Sequence, residues 1–216
     1  MLRRKLLLAF LLAILFFPVN VWPQTRVFGA SEVPTADMTY WRKVGTTNYE
    51  AWYTSPTTGT ALTTGVVTAN RLYAIPFVTP KGITVDRIGI NVTTLVVGVA
   101  MLGIYADNGI YPGSLLLNAG VVSTGATGVQ SITISQALSA NTLYWLVLVA
   151  NAAPTLRAFD VGSMVSILGY ANTLPTAPNA SLYVAFTYGP LPATFPGSAT
   201  LVTAAGTPAI FVRLSN

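Results

Sequence analysis

The stretch from residue 71 to residue 169 most strongly limits the folds open to this chain. It consists of short apolar segments, rich in β-branched residues, that are separated by turn residues at nearly regular intervals. In one of them, Ile88, Ile90 and Val92 fall on the same face of a predicted strand. Such spacing is typical of an antiparallel β-sandwich, and no segment after residue 30 shows a sustained helical period. The sequence therefore predicts an all-β fold of roughly ten strands.

Three details of these strands carry specific expectations. The segment Leu143–Val149 is the most apolar, and it is predicted to be a central strand covered on both faces. Pro76 removes a donor from the ladder and favours an edge or a bulge. Gly98 and Gly103 lie within a predicted strand, where glycine often marks a bulge or a close approach of another backbone. The other predicted strands are 72–77, 83–92, 96–105, 114–117, 120–123, 129–135, 157–160, 164–168, 182–188 and 209–214.

The first 29 residues have the layout of a targeting segment. Arg3, Arg4 and Lys5 precede the apolar run Leu6–Phe17, as in a secretory signal peptide. The run is shorter than the roughly 20 residues that a membrane-spanning helix needs. We expect residues 1–29 to be a signal peptide or, if uncleaved, an N-terminal hydrophobic helix that anchors the chain to a membrane.

Residues 30–70 differ in composition from the predicted sandwich, which we assign to residues 71–216. Aromatic residues, among them Trp52 and Tyr53, lead into a Thr/Gly-rich stretch of low complexity, Thr54–Gly65. We expect an extended arm that packs its aromatic rings against the sandwich or against neighbouring subunits. A flexible linker is the alternative.

Composition excludes several classes of function. The chain carries a net charge of +5, but three of its eleven basic residues lie at the N-terminus. The rest of the chain has eight basic and six acidic residues. Apart from the adjacent Arg42 and Lys43, these eight basic residues are scattered along the sequence, whereas nucleic-acid binding needs a clustered basic surface. The chain contains no histidine and no cysteine, which excludes disulfides, Ser-His-Asp triads and zinc sites of the usual kind. We therefore expect no nucleic-acid partner and no cofactor.

Carboxylates are the remaining candidates for acid and base catalysis. Glycoside hydrolysis needs two carboxyl groups about 5 to 10 Å apart across a cleft. Asp86 is followed by Arg87 and suits a solvated or ion-paired strand position. Asp107–Gly109 has the composition of a turn, and Asp160 suits a loop cap or a partner for Arg157. The sequence therefore predicts a protein that is not an enzyme.

Five residues are the candidate ligand-binding set: Tyr105, Asp107, Asn108, Tyr111 and Tyr188. The three tyrosines lie at or near predicted loops, where a ring stacks on the apolar C–H face of a sugar while amides and carboxylates meet its hydroxyls. Packing in the core or between subunits is the alternative for each tyrosine. Asp107 and Asn108 supply at most two of the several oxygen ligands that calcium requires, so we predict no metal site.

Five segments together resemble a known module: Asn70–Phe77, Val85–Asn91, Leu102–Gly109, Tyr111–Leu116 and Leu138–Leu146. They are similar to a jelly-roll module of tail-fibre and other virion surface proteins of tailed bacteriophages, and related modules occur in secreted bacterial proteins. The resemblance covers about residues 53–168. It implies a jelly-roll sandwich in a homotrimeric, virion-exposed protein that binds host-surface glycans, and it implies no catalytic residues.

The N-terminal segment departs from the phage pattern, in which a virion-attachment segment takes the place of an export signal. This departure is consistent with a secreted or cell-surface subunit, or with a virus whose capsid or spike protein passes through a membrane. The function we expect is structural or adhesive, in an extracellular or virion surface assembly, as a homo-oligomer (trimer or filament) with glycan binding as a second role. The alternative is a monomeric secreted carbohydrate-binding module.

Overall fold

A computed structural model describes residues 52–57, 61–109, 111–165, 167–170 and 177–215. The predicted targeting segment, residues 1–29, lies outside the described residues, as does the first part of the predicted arm. Every regular element in the described residues is a β-strand, which confirms the all-β class. Within this part of the chain there is no helix with the length and hydropathy needed to span a membrane.

Twelve strands form in the described part of the chain. They are β1 (Trp52–Tyr53), β2 (Thr63–Val66), β3 (Arg71–Thr79), β4 (Ile83–Thr94), β5 (Val99–Asp107), β6 (Pro112–Ser123), β7 (Gly128–Leu138), β8 (Thr142–Ala150), β9 (Thr155–Ala158), β10 (Asn179–Ala185), β11 (Thr200–Thr203) and β12 (Phe211–Leu214).

The strands form two antiparallel sheets. The first sheet is built around β4, which pairs with β7 along one edge and with β12 and β9 along the other. Strand β1 extends this sheet beside β12, and β2 extends it beside β9. The second sheet has the order β11-β10-β3-β8-β5-β6. The result is a sandwich-like arrangement of two antiparallel sheets, with β7 and β6 as edge strands of the first and second sheets.

The main core lies between the sheets, because alternate residues of each strand point inward. Ile88, Ile90 and Val92 of β4 are buried there, which confirms the face predicted for them. Strand β8 contributes Leu146 and Leu148 to the same core.

Strand β8 is also buried on its other face. Trp145, Val147 and Val149 point away from the main core into a second apolar cluster. The prediction that this strand is central and covered on both faces is therefore confirmed.

Residues 186–199, here called the strap, cover the outer face of the second sheet. Leu191 and Phe195 of the strap are buried in the second cluster. Backbone hydrogen bonds fasten the strap to β6: Leu115 N donates to Ala193 O at 2.9 Å, and Phe195 N donates to Gly113 O at 2.9 Å. Because the strap covers it, the apolar outer face of the second sheet is shielded from solvent.

Gly103 is both at a bulge and at a close approach, the two features that glycine in a strand often marks. The β5–β6 register shifts between Leu102 and Gly103, which is a bulge. A Cβ built on Gly103 would collide with the side chain of Leu191 and lie 2.6 Å from the backbone oxygen of Leu117. Only glycine leaves room for the strap at this position, so both the predicted bulge and the predicted close approach are confirmed.

The structure differs from the strand predictions at several points. Strands β1 and β2 belong to the first sheet, so the described part of the predicted arm contributes to the sandwich. The segments predicted as two strands around residues 114–117 and 120–123 form one strand, because a bulge at the left-handed Gly120 (φ 109°) keeps the ladder continuous. The strand predicted at 164–168 is wrong: Met164 makes only an isolated bridge to Thr57. Strand β11 was not predicted.

Pro76 lies in β3, which is an interior strand of the second sheet. The pairing of β3 with β10 ends at Ala74, however, and Pro76 pairs only with Trp145 of β8. The proline thus occupies a part of the strand that has an open side, which is where a residue without an N–H is tolerated.

Candidate functional site

Tyr105 lies beneath the strap. Its side chain is fully buried, and its hydroxyl donates a hydrogen bond to the backbone oxygen of Pro192 at 2.6 Å. Its ring meets Phe195 edge-on, with 5.6 Å between ring centroids. Burial raises the pKa of Tyr105 to about 12, because the phenolate would lose its hydration. The structure therefore gives Tyr105 a packing role, and its ring is not presented to solvent.

Tyr111 and Tyr188 are half-buried and also contact the protein itself. The hydroxyl of Tyr111 donates to Pro196 O at 3.1 Å and accepts from Ala199 N at 2.9 Å, at the end of the strap. Tyr188, within the strap, packs against the second cluster, and its backbone N–H donates to Asn70 Oδ1 at 2.9 Å. Both tyrosines hold the strap on the second sheet.

Asp107 connects a buried ring to an exposed turn. Its Oδ1 atom accepts a hydrogen bond of 2.8 Å from Nε1 of Trp145, and its Oδ2 atom accepts one of 3.0 Å from the backbone of Gly109. Gly109 has a φ of 75°, in the left-handed region that glycine adopts without strain. Asn108 is exposed in the same turn, and its backbone N–H donates to Tyr111 O at 2.7 Å. The carboxylate thus anchors the end of β5 to β8.

Asp86 and Asp160 are engaged as well. Asp86 forms a bidentate pair with Arg213 of β12, with Nε–Oδ1 and Nη2–Oδ2 distances of 2.8 Å each. Its partner is therefore a residue of the neighbouring strand, and the adjacent Arg87 is not involved. Asp160 accepts from Val161 N at 2.7 Å and stands in a turn closed by Ser163, which fits the loop-cap alternative. The described residues include no cluster of three or more acidic side chains that could hold a metal ion.

A groove of about 160 Å³ lies on the outer face of the first sheet. The residues that line it come from four strands: Trp52, Gly89, Ile90, Asn91, Val129 and Phe211. We call it the Trp52 groove. Its surface is mainly apolar, and Asn91 is the one residue with a polar side chain among the described residues that line it.

The floor of the Trp52 groove is Gly89. In the sheet register, Gly89 stands between Phe211 of β12 and Ser131 of β7. A Cβ on Gly89 would lie 2.7 Å from the backbone oxygen of Gln130 and 2.9 Å from the Cβ of Ser131. The bare backbone at this position leaves a depression beside the Phe211 side chain.

The two aromatic walls of the groove come from opposite ends of the described chain. Trp52 pairs with Arg213 in the register, two residues from Phe211 on the same face of β12. Diagonal neighbours across antiparallel strands lie about 7 to 8 Å apart, within reach of aromatic side chains. The groove therefore depends on the pairing of β1, β12 and β4.

Sequence reasoning did not identify this groove. Composition places Trp52 in an arm, and the strand patterns single out neither Phe211 nor Gly89. The one available signal is Gly89 itself, since it interrupts the outward-facing positions of an otherwise alternating strand. The predicted ligand set lies elsewhere, with Tyr105, Tyr111 and Tyr188 in the cluster that the strap covers.

Comparison with protein-family models and with curated proteins found no match to this chain.

Proposed function

We propose that this chain is a structural or adhesion protein of an extracellular or virion surface assembly. The sandwich associates with further copies of itself, and the Trp52 groove binds a glycan. The alternative is a monomeric secreted carbohydrate-binding module, which would use the same groove.

The strand connectivity supports the jelly-roll form of the sandwich. Successive strands from β3 to β9 cross repeatedly between the sheets, so that β3, β8, β5 and β6 are neighbours in one sheet. Strands β4, β7 and β9 lie in the other. This interleaving is the order expected when two Greek keys share a sandwich. It agrees with the jelly-roll module of tail-fibre and virion surface proteins that the sequence resembles.

The Trp52 groove is the observation that carries the glycan-binding role. Ligand sites are typically concave and mainly apolar, with a few polar groups that fix orientation. The groove has this composition, with Trp52 and Phe211 as aromatic walls and Asn91 as a hydrogen-bonding side chain. A pyranose presents an apolar C–H face to a ring and hydroxyls to an amide. The fit is therefore to a sugar bound by stacking.

The edge of the sandwich supports self-association. Strands β6 and β7 end their respective sheets. The strap pairs with β6 at residues 113–115, and the rest of each edge strand can pair with another chain. Exposed apolar side chains that do not line the groove lie on β6: Leu116 and Val121. A homo-oligomer, either a trimer or a filament, would remove these side chains from water.

Two measurements on the full-length protein test the proposal. Light scattering after size exclusion should give a trimer or a larger assembly. A monomer that binds a polysaccharide would instead favour the carbohydrate-binding module.

On a glycan microarray, Trp52→Ala should weaken binding about thirtyfold, since truncating an aromatic anchor typically costs about 2 kcal/mol. Tyr170→Ala is the matched control, because Tyr170 is an exposed aromatic residue that does not line the groove. Equal binding by the wild type and Trp52→Ala would refute the assignment of the groove.

A further inference from the structure

The outer face of β4 carries three residues in a line, of which Gly89 and Asn91 line the Trp52 groove and Arg87 lies next to it. Arg87, Gly89 and Asn91 occupy alternate positions, so they share one face, with about 7 Å between successive Cα atoms. The intervening residues Ile88 and Ile90 are buried in the main core. Along this line, Asn91 lies in the groove, and Arg87 lies on the opposite side of Gly89, one outward-facing position beyond the groove lining.

The two arginines beside the groove differ in their partners. Arg213 is held by the bidentate pair with Asp86. Arg87 is its direct neighbour in the register, and among the described residues none forms a hydrogen bond or an ion pair with the Arg87 side chain. Arg87 thus carries the uncompensated positive charge of this face of β4.

We infer that the Trp52 groove recognises an acidic sugar, a pyranose that bears a carboxylate or sulfate group. The apolar face of the ring stacks on Trp52 and Phe211, and Asn91 meets its hydroxyls. The anionic substituent pairs with Arg87, whose planar guanidinium offers several donors in a geometry that suits carboxylate and sulfate oxygens. This inference rests on the glycan-binding role proposed above and adds the charge of the ligand.

The test compares ligands that share a sugar chain but differ in whether its acidic groups are present as anions. Titration calorimetry of the full-length protein uses trigalacturonate and its methyl ester, and a second pair consists of a sulfated galactan oligosaccharide and its desulfated form. The anionic member should bind at least about tenfold more tightly, because hydrogen bonds to charged groups are the stronger kind. Preference within the first pair identifies a carboxylate ligand, and preference within the second identifies a sulfate ligand.

Variants assign the preference to Arg87. Arg87→Gln should reduce affinity for the anionic ligand about tenfold or more while leaving affinity for its neutral partner unchanged. Arg157→Gln is the control, since Arg157 is exposed on the same outer face, between the buried Leu156 and Ala158, but its guanidinium donates to the backbone oxygen of Leu62 at 3.5 Å. Thermal unfolding of each variant checks that the fold is retained.

The possible failures are distinguishable. If charged and neutral ligands bind equally, or if Arg87→Gln and Arg157→Gln reduce binding alike, the inference of an acidic ligand is overturned and the glycan-binding role stands. If neither member of either pair binds and the microarray shows no glycan bound, both the inference and the glycan-binding role fail. The oligomer measured by light scattering is unaffected by either result.

Discussion

Replacing Asp107 by alanine should reveal whether this carboxylate belongs to the architecture or to a ligand site. In the structure its Oδ1 atom accepts a hydrogen bond of 2.8 Å from the indole of Trp145, a side chain that is fully buried. Its Oδ2 atom accepts the N–H of Gly109 in the exposed turn. The substitution therefore removes two acceptors, one of which serves a donor that water cannot easily reach.

The expected loss of stability follows from these two contacts. A buried donor left without a partner costs about 1 to 3 kcal/mol, and loss of the exposed turn bond adds about 0.5 to 1 kcal/mol. We expect Asp107→Ala to lower the free energy of unfolding by about 1.5 to 4 kcal/mol. Asn108→Ala, in the same turn, should change it by less than about 0.5 kcal/mol, because Asn108 is exposed and its backbone hydrogen bond to Tyr111 is retained.

A double-mutant cycle separates the indole contact from other effects. Trp145→Phe removes the donor, so Asp107→Ala should cost less in that background, with a coupling energy of about 1 to 2 kcal/mol. Urea unfolding followed by circular dichroism gives all four stabilities without relying on tryptophan fluorescence. Additive effects, with coupling below about 0.5 kcal/mol, would refute the structural role assigned to Asp107.

Two further predictions concern the strap and the residues beneath it. Burial raises the pKa of Tyr105 from 10.0 to about 12 in the folded chain, so the fold favours the neutral side chain. This preference contributes about 2 to 3 kcal/mol to the free energy of unfolding; the contribution is fully present below pH 10 and is lost as the pH rises towards 12. In Tyr105→Phe, the free energy of unfolding measured in urea should fall less between pH 9 and pH 11.5 than in the wild type. An equal fall in the two proteins would contradict this prediction. Gly103→Ala should cost about 1 to 3 kcal/mol through its contacts with Leu191 and Leu117. Gly162→Ala serves as the control, because a Cβ at Gly162 would meet open space. Equal urea midpoints for Gly103→Ala and Gly162→Ala would show that the strap moves to accept a Cβ at Gly103 at little cost.

The fold class was predictable because local patterns carry it. The alternation of Ile88, Ile90 and Val92 and the continuous apolar run of β8 each follow from burial on one face or on two. The bulge at Gly103 was also foreseeable, since glycine weakens the interior of a strand and therefore tends to stand where a bulge or a close approach requires it. The Thr/Gly-rich composition of β2 concealed a strand, because its pairing with β9 determines its conformation more than its own propensity does.

The candidate site was much less predictable. Tyr105 and Tyr111 were expected near loops, but the strap that covers them comes more than 70 residues later in the chain and has no strand pattern of its own. The Trp52 groove depends on the register that places Phe211 opposite Gly89 and Trp52 opposite Arg213. A register between distant segments is set by tertiary packing, and single-sequence patterns do not specify it.

The two outer faces of the sandwich differ in how far they are covered. The strap covers the second sheet, where Trp145, Tyr105 and Phe195 are buried, and Asp107 contributes to that cover. The first sheet keeps the Trp52 groove and Arg87 at its surface within the described residues. Because the two sites lie on opposite sheets and share no side chain, their effects should be independent. Asp107→Ala should therefore lower stability without changing glycan affinity, and Arg87→Gln should lower affinity without changing stability. Calorimetric titration and urea unfolding of both variants test this independence. A loss of glycan affinity in Asp107→Ala, or a loss of stability in Arg87→Gln, would contradict it.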